Sequence, residues 1–400
     1  MGEMTHRIVV AGGSLAGHSA VAELMALVPD ADVVWVTGER HRAYSKPALS
    51  KEFMQARNEI ADLMLPGIEG DLGRLRIVSE SCASLDPSGQ SVVLGNGERI
   101  GFDQLLVATG ARARMPDILQ GVGGVFPLRT LDDAVAIRES LAGKPKVVVI
   151  GGGLIGCELA ASMRTLGLEV TLVEQLQSLL ERPFGGAFGT YFLDLHRDNG
   201  VELIMGGMVE RLAVDNGWVA GVKLADGTTI DAQLVVVGAG SEPCTHWLEG
   251  SGVAVDNGVV CDTYLATSRP AIFAAGDVAR WMNPVYGIQM RVEHWTNASA
   301  QGRAAARNMA AALTGRQELR KAFGDVPYFW SDQYGQKIQM VGWHQGHDHV
   351  ELDRSGEAPG PLARFYRDGR LVAAAGINAP RIVMKLRRQI EEEARALQAA

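Results

Sequence analysis

The sequence predicts an α/β protein with two doubly wound parallel sheets and a smaller α+β carboxyl-terminal domain. Segment 6–39 reads as an apolar strand, a glycine turn, a helix and a second strand, and segment 145–175 repeats that order. Alternating strands and helices of this length are typical of parallel sheets covered by helices. Each unit is followed by a hairpin and a buried strand, at 84–110 and 221–240. We therefore expect two Rossmann-like dinucleotide-binding domains in tandem.

Composition and charge fit a cytoplasmic globular protein. The net charge of −8 argues against general binding to nucleic acid or to an anionic membrane. The longest apolar stretch, Lys146–Met163, is interrupted by glycines and by Glu158, so we expect no membrane span. We also expect no signal peptide, because the chain begins with a strand and a glycine loop. The four cysteines lack CxxC spacing, and we interpret them as reduced core residues.

The second glycine loop has the spacing of a dinucleotide-binding turn. In GGGLIG, Gly151 allows the tight turn, Gly153 lets a pyrophosphate approach the backbone, and Gly156 lets the helix pack on the strand. Glu174 ends the next strand, where a carboxylate can accept hydrogen bonds from ribose hydroxyls. Residues 175–177 carry no positive charge for a 2′-phosphate, which favours NADH over NADPH. The predicted NAD-binding residues are Gly151, Gly153, Leu154, Ile155, Gly156, Glu158, Glu174 and Gly238.

The first glycine loop, GGSLAG at 12–17, is less regular. Ser14 occupies the second glycine position, but serine is small enough to leave the approach to a pyrophosphate open. Glu39 falls at the next strand end and is a candidate ribose acceptor; the alternative interpretation is a solvated turn carboxylate. This loop therefore predicts a second nucleotide site with a weaker signature.

A distant segment indicates that the first loop binds a flavin. In TSRPAIFAAGDVA, Gly276 and Asp277 follow an apolar strand. An aspartate there suits the ribityl chain of FAD, and the glycine lets the backbone come close. LLVATGAR at 105–112 ends the strand through which the chain can leave the flavin domain. Together, in this order, these segments predict an FAD site.

The order of GGSLAG, YSKPALSK, ATGAR, GGGLIG, FAAGDVA, RVEHWTNASAQG and YFWSDQYG resembles the FAD-dependent, NADH-using ferredoxin reductases. The resemblance implies the glutathione reductase-like fold, with an FAD domain at 1–112 and 241–321, an NAD domain at 113–240 and a carboxyl-terminal domain at 322–400. The expected FAD contacts are Gly12, Ser14, Leu15, Ala16, Gly17, Glu39, Lys46, Pro47, Lys51, the backbone at Cys82, Ala108, Thr109, Gly110, Arg129, Gly276, Asp277, His294, Trp295 and Trp330.

YSKPALSK stands where related disulfide reductases carry redox cysteines. Residues 40–60 contain no cysteine, and Lys46-Pro47 and Lys51 fill that place. The resemblance pairs Lys51 with Glu158, and an ammonium near the flavin would stabilise the negative charge of the reduced ring. These two are the expected catalytic residues; the alternatives are a solvated helix lysine and a helix packing residue. Without a dithiol, electrons must leave the flavin directly.

Aromatic residues are expected to wall the flavin. The candidates are Trp295, Phe329 and Trp330, and the alternative for the last two is ordinary core packing. His294 has a similar status. No set of metal ligands is apparent in the sequence.

The expected function is hydride transfer from NADH to FAD, followed by single-electron transfer to a small [2Fe-2S] ferredoxin that feeds a cytochrome P450 or a Rieske-type oxygenase. Two alternatives stay open: an NADH oxidase or peroxidase, disfavoured by the missing cysteine, and a non-catalytic NADH-binding flavoprotein similar to apoptosis-inducing factor. We expect a monomer or homodimer. The basic residues expected to steer an acidic ferredoxin are Arg40, Arg42, Arg303, Arg307, Arg381, Lys385, Arg387 and Arg388.

Overall fold

The computed structural model describes residues 6–68, 70, 72–86, 88–353, 356 and 358–399. They form two compact units, each assembled from three segments. The first unit comprises Met1–Ser45, Met64–Arg112 and Glu242–Pro327, and the second comprises Lys46–Leu63, Ala113–Ser241 and Tyr328–Ala400. The division into three domains stays a prediction.

The helices and strands follow the predicted alternation. The helices are α1 (Leu15–Leu27), α2 (Ile60–Leu63), α3 (Leu131–Ser140), α4 (Leu154–Thr165), α5 (Glu181–Phe184), α6 (Gly189–Asp198), α7 (Trp295–Thr314) and α8 (Pro380–Ala399). The strands are β1 (Arg7–Ala11), β2 (Asp32–Val36), β3 (Leu75–Val78), β4 (Cys82–Asp86), β5 (Ser91–Leu94), β6 (Arg99–Gly101), β7 (Gln104–Val107), β8 (Ala111–Ala113), β9 (Val125–Pro127), β10 (Val147–Ile150), β11 (Val170–Glu174), β12 (Glu202–Met205), β13 (Val209–Asp215), β14 (Trp218–Leu224), β15 (Thr229–Asp231), β16 (Leu234–Val237), β17 (Ser241–Pro243), β18 (Val259–Cys261), β19 (Ile272–Ala274), β20 (Ala279–Asn283), β21 (Ile288–Arg291), β22 (Tyr328–Gln333), β23 (Gln336–Gly342), β24 (His349–Leu352), β25 (Leu362–Arg367) and β26 (Arg370–Ile377).

The first unit is built on a five-stranded parallel sheet in the order β19-β7-β1-β2-β3. The central strands β1 and β7 are buried along nearly their whole length, as parallel strands covered on both faces must be. Two three-stranded sheets accompany it, β4-β5-β6 and β18-β20-β21. The order places the carboxyl ends of β1 and β7 side by side, next to the first glycine loop.

The second unit repeats the parallel plan and adds an antiparallel sheet. Its parallel sheet runs β12-β11-β10-β16-β9, and a β13-β14-β15 meander packs an apolar cluster around Val148, Val222 and Val235. The last segment forms an antiparallel sheet, β22-β23-β26-β25-β24, against which α8 packs. The predicted fold class, two doubly wound parallel sheets with an α+β carboxyl-terminal part, is confirmed.

Two negative findings concern only the described ranges. No helix there is long and apolar enough to cross a membrane. No group of three or more His, Cys, Asp or Glu side chains in that part of the chain is arranged to hold a metal ion.

A glycine in α7 allows the closest approach of two helices in the first unit. A Cβ added to Gly302 would overlap the carbonyl oxygen of Ala16 in α1. Because this oxygen belongs to the backbone, it cannot rotate away from an added Cβ as the end of a flexible side chain could. The contact between α1 and α7 therefore depends on the missing side chain.

We predict that Gly302→Ala destabilises the protein by about 1–3 kcal/mol, because the methyl group overpacks this contact. The sign of this change in unfolding free energy tests the packing argument, because replacing glycine by alanine inside a helix ordinarily stabilises a protein by about 1 kcal/mol. Urea unfolding measures the difference. The control is Gly101→Ala, where the nearest atom to the added Cβ is 3.9 Å away; a gain in stability for Gly302→Ala would contradict the packing argument.

Candidate functional site

The first glycine loop turns sharply between β1 and α1. Gly12 has φ +136°, and a Cβ there would overlap the carbonyl of Ala108. The Gly12 N–H donates to Val36 O at 2.8 Å, and the Trp35 indole N–H donates to Gly12 O at 2.8 Å. A Cβ on Gly17 would overlap Gly12 O. The loop is thus held flat against β2 and β7 by backbone contacts that only glycine permits.

The amino end of α1 is available to an anion. Ser14 is the N-cap in an extended conformation, and within the described chain its side chain makes no capping hydrogen bond. The first turn holds no acidic residue, and Leu15 and Ala16 are buried beneath it. Free N–H groups at a helix amino terminus attract phosphate, so serine at the second position keeps this site usable.

Glu39 lies three residues beyond β2 at the rim of a cleft. The cleft has a volume of about 380 Å³ and is also lined by Gly13, Trp35 and Arg42. The Tyr44 hydroxyl donates to Glu39 Oε2 at 2.6 Å, which orients the carboxylate. A fixed acceptor at the edge of a cleft beside the glycine loop suits a ribose.

Gly276 comes directly against the start of α1. Its φ is +80°, and a Cβ there would lie 2.8 Å from the Ala16 Cβ. The Gly276 N–H donates to Gln301 Oε1 at 2.8 Å. Gln301 is fully buried, and its Nε2 has no hydrogen-bond partner within the described residues. Such a buried donor is costly unless something accepts from it, so it marks a place for a polar ligand.

The expected residues at the end of β7 also lie near this point. Ala108 is buried, its N–H bonded to Ala11 O at 2.7 Å, and Thr109 donates from Oγ1 to Cys244 O at 2.8 Å. Gly110 has φ +68°, and its carbonyl accepts from Cys244 N–H at 2.9 Å. These bonds fix the segment that leaves the parallel sheet.

Asp277, His294, Trp295 and Cys82 complete the expected set in the first unit. Asp277 is half-buried after β19, and its carbonyl accepts from Arg291 at 3.1 Å. Burial lowers the pKa of His294, the N-cap of α7, to about 4, although the Asp277 carboxylate opposes that shift. The ring is therefore neutral at pH 7. Trp295 begins α7 and Cys82 begins β4, and both are half-buried.

The geometry of the first unit is thus suited to binding FAD. It offers a glycine turn closed by backbone contacts, an uncapped helix amino end, an oriented carboxylate and an orphaned buried amide. Gln301 was not anticipated, although it lies within the quoted segment RVEHWTNASAQG. Its role depends on which face of α7 meets Gly276, which no local pattern reveals. The other expected FAD contacts, Lys46, Pro47, Lys51, Arg129 and Trp330, belong to the second unit.

The second glycine loop repeats this geometry between β10 and α4. Gly151 has φ +106°, and a Cβ there would overlap Gly238 O; a Cβ on Gly156 would overlap Gly151 O. Gly153 is the N-cap of α4, and a Cβ there would meet none of the described atoms within 4 Å. Ile155 is 40% exposed beside this opening. The loop is thus closed where strand and helix pack and open where a pyrophosphate would approach.

Glu174 ends β11 with both carboxylate oxygens oriented by the backbone. Oε2 accepts from Gly152 N–H at 2.6 Å, and Oε1 accepts from Leu176 N–H at 2.8 Å. Each oxygen has a further lone pair for a ribose hydroxyl. Residues 175–177 are exposed and uncharged. This matches the geometry expected of an NADH site.

Lys51 and Glu158 form a buried ion pair in the second unit. Their side chains are 9% and 7% exposed, and Nζ lies 2.8 Å from Glu158 Oε2. Lys51 also donates to Pro47 O at 3.0 Å. Glu158 receives two more donors, Ser50 on Oε2 at 2.5 Å and Ser331 on Oε1 at 2.6 Å. Buried charges persist when paired and hydrogen-bonded in this way, so the pair is not a solvated helix lysine beside an apolar neighbour.

Lys46 and Arg129 meet through the backbone. Lys46 lies in a single helical turn with Pro47, and its Nζ is 3.5 Å from Arg129 O. The Arg129 N–H donates to Asp133 at 3.0 Å, just before the capping box that begins α3. The start of α3 is therefore tied to the segment that carries Lys51.

Strand alternation separates the two aromatic residues of β22. Phe329 is buried and packs on Phe184, with ring centroids 5.6 Å apart. Trp330 points to the other face, half-buried and stacked on Tyr328 at 6.0 Å. For Phe329 the structure supports core packing, the alternative interpretation, while Trp330 remains available as a flavin wall.

Comparisons with known proteins agree with this geometry. The model of the family described as pyridine nucleotide-disulphide oxidoreductase matches residues 6–302, and one described as reductase C-terminal matches residues 328–400. The ferredoxin–NAD(+) reductase component of the 3-phenylpropionate/cinnamic acid dioxygenase of Photorhabdus laumondii is 31% identical and is covered over 97% of both chains. Putidaredoxin reductase of Pseudomonas putida is 32% identical over 93% of this chain and 89% of its own.

A solved structure shows the same fold at full length. The covalent complex of putidaredoxin reductase with putidaredoxin matches with a TM-score of 0.90 and 29% identity, over 97% of this chain and 93% of that chain. Family models, relatives and structure agree over nearly the whole sequence. The chain therefore belongs to the pyridine nucleotide-disulphide oxidoreductase family, in its group of ferredoxin–NAD(+) reductases.

Proposed function

We propose that this chain takes hydride from NADH to bound FAD and passes single electrons to a [2Fe-2S] ferredoxin, which supplies a cytochrome P450 or a Rieske-type oxygenase. The observation that best supports this proposal is the buried Lys51–Glu158 pair, whose lysine lies in the segment where disulfide reductases of this fold keep cysteines. The names of the relatives, a ferredoxin–NAD(+) reductase component of a dioxygenase and a putidaredoxin reductase, support the same function.

Bound FAD would supply the chemistry, accepting two electrons as hydride and releasing them singly. The chain's own residues hold and tune it. We propose that the loop at 12–17, Glu39 and the Gln301 amide bind the FAD nucleotide, and that Gly151–Gly156 and Glu174 bind NADH. Lys51, held in place by its ion pair with Glu158, would stabilise negative charge on the reduced ring.

The cysteines of the chain are unsuited to a dithiol relay. All four, each within the described ranges, are free. Burial raises the pKa of Cys82 to about 12, and it raises the pKa of Cys157 further, helped by the nearby Glu158 and Glu174 carboxylates. Both thiols are therefore protonated at neutral pH and poor nucleophiles. Free thiols also support a cytoplasmic location, which we propose.

We propose that the exposed face of α8 steers the ferredoxin. Arg381, Lys385 and Arg388 are exposed and lie one or two turns apart on that face. Other candidates are already engaged: Arg307 pairs with Glu23 at 2.7 Å, and Arg387 with Glu391 at 3.2 Å. A basic stripe on a chain of net charge −8 gives an acidic partner a defined place to dock.

The first prediction about function tests electron transfer to a ferredoxin together with the docking surface on α8. The yellow holoenzyme should reduce cytochrome c with NADH only when a [2Fe-2S] ferredoxin is added, tested with a panel of candidates. Reversing Arg381, Lys385 and Arg388 to Glu should lower ferredoxin coupling about tenfold or more and weaken its salt dependence, while direct ferricyanide reduction is unchanged.

The matched control reverses three exposed basic residues elsewhere in the second unit, Lys144, Arg211 and Arg370, giving the same change in net charge. It should leave ferredoxin coupling near the wild-type rate. Fast electron flow to oxygen or peroxide, with none to any ferredoxin, would contradict the proposed function. Equal losses in the two triple variants would contradict the docking surface alone.

The second prediction concerns the nucleotide. Wild type should prefer NADH, and Glu174→Arg should shrink or reverse the ratio of kcat/KM for NADH over NADPH, because the carboxylate repels a 2′-phosphate and arginine attracts it. The control is Glu202→Arg, which introduces the same charge on the neighbouring strand β12. Equal kcat/KM for both nucleotides in the wild type would overturn the role of Glu174.

The third prediction concerns the buried lysine. Lys51→Met should slow reduction of the flavin by saturating NADH about 100-fold, the usual size of a preorganised charge in a buried site. The Kd for NADH should change little, since the glycine loop and Glu174 are untouched. Stopped-flow spectroscopy separates the two quantities, with Lys337→Met, at a lysine 47% exposed, as the control. An unchanged reduction rate would remove Lys51 from the mechanism.

A further inference from the structure

Behind Glu158, the second unit buries a row of polar side chains that the proposed function leaves unused. Ser331 and His196 are fully buried, Gln333 is nearly so, and Tyr334 lies half-buried at the end of the row. Burying polar groups costs free energy unless each finds a partner. Here every member has one.

The contacts form one unbroken chain. Ser331 Oγ lies 2.6 Å from Glu158 Oε1, and Gln333 Nε2 lies 3.1 Å from Ser331 Oγ. His196 Nε2 is 3.1 Å from Gln333 Oε1, and the Tyr334 hydroxyl is 3.0 Å from His196 Nδ1. The row thus connects α4 to α6 through alternate residues of β22 and the turn that follows it.

The carboxylate at one end fixes the direction of every bond. An ionised Glu158 only accepts, so Ser331 must donate to it with its single proton. The Ser331 oxygen then accepts from the Gln333 amide, whose carbonyl oxygen must accept from His196 Nε2–H. Burial lowers the pKa of His196 to about 4, so the ring carries one proton at pH 7 and its Nδ1 accepts from Tyr334. All four donors therefore point toward Glu158.

The backbone is strained to place the last member of the row. Tyr334 has φ +50° and precedes Gly335 at +75°, in the two-residue turn that joins β22 to β23. Turns of this kind prefer asparagine, aspartate or glycine, because a bulky residue at positive φ is strained. Here a tyrosine occupies the strained position, and its hydroxyl lies 3.0 Å from His196 Nδ1.

We propose that Tyr334, His196, Gln333 and Ser331 form a directional hydrogen-bond relay that positions the Glu158 carboxylate beside Lys51. They are positioning residues, acting through Glu158. The relay transmits orientation and does not conduct protons, since the Gln333 amide in its middle is not a ready proton carrier. The relay can affect the reaction only if Lys51 has the proposed function. The direction of its hydrogen bonds does not depend on that function.

The direction can be read at His196, remote from any nucleotide. In Glu158→Gln, the donors Lys51 and Ser50 hold the amide oxygen at the Oε2 position, so the NH₂ group faces Ser331. Ser331 must then donate to Gln333, the Gln333 amide turns over, and the proton of His196 moves from Nε2 to Nδ1. Imidazole ¹⁵N shifts of the histidine-labelled holoenzyme at pH 7 should show the Nε2–H tautomer in wild type and Nδ1–H in Glu158→Gln.

Two further variants sharpen this test. Glu351→Gln is the matched control, because Glu351 accepts from Tyr366 in the same unit, away from the row, and it should leave the His196 tautomer unchanged. Ser331→Ala cuts the row and should yield a mixture of both tautomers. If Glu158→Gln does not fold, the His196 tautomer in Ser331→Ala still tests the relay. If the His196 tautomer is the same as in wild type in both Glu158→Gln and Ser331→Ala, the relay is wrong.

The reaction is the second readout. Tyr334→Phe should slow flavin reduction by NADH about threefold to tenfold, the size of one neutral hydrogen bond, here the bond to His196 Nδ1, with an unchanged Kd for NADH. Tyr366→Phe is the control, losing a hydroxyl bond to Glu351 at 3.1 Å. If the tautomer responds and Tyr334→Phe reduces at the wild-type rate, the positioning role is wrong. If the wild type fails to accept electrons from NADH, the proposed function fails and the tautomer result still decides the relay's direction.

Discussion

Glu158 is the point on which the second unit's chemistry depends, because its buried carboxylate accepts from three donors in two segments that are far apart in sequence. Lys51 and Ser50 come from the segment after β2, Ser331 comes from the carboxyl-terminal sheet, and α4 supplies the carboxylate. Removing a carboxylate from water costs several kcal/mol, and the contacts with these three donors offset that cost. The ion pair with Glu158 also holds the ammonium of Lys51 at a fixed position.

The two glycine loops show which parts of a nucleotide turn must be glycine. At Gly12 and Gly151 the positive φ and the backbone opposite leave no alternative, and at Gly17 and Gly156 the helix would collide with its own loop. The second position differs, since Gly153 faces open space and its counterpart in the first loop is Ser14. A small residue there need only leave room for a phosphate, so serine is compatible with binding.

Local patterns in the sequence were sufficient for the parallel sheets, both glycine loops and Glu174, because each depends on residues close together in the chain. The Lys51–Glu158 pair came only from family resemblance, since 107 residues separate its members. Ser331, Gln301 and His196 were not anticipated, because their roles depend on which faces of distant helices and strands come into contact. Phe329 is different: the alternation of β22 already indicates that it and Trp330 lie on opposite faces.

The interleaving of the two units constrains how the chain can fold during synthesis. Each unit draws on three separated segments, and the second receives the short piece Lys46–Leu63 from within the first. Ser331, a partner of Glu158, is synthesised 173 residues after that carboxylate. Contacts between such distant segments form slowly, because a long loop must close before any of them stabilises the chain. Nascent chains therefore expose an unfinished polar core until Ser331 has been synthesised, and we expect chaperones to bind them during that interval.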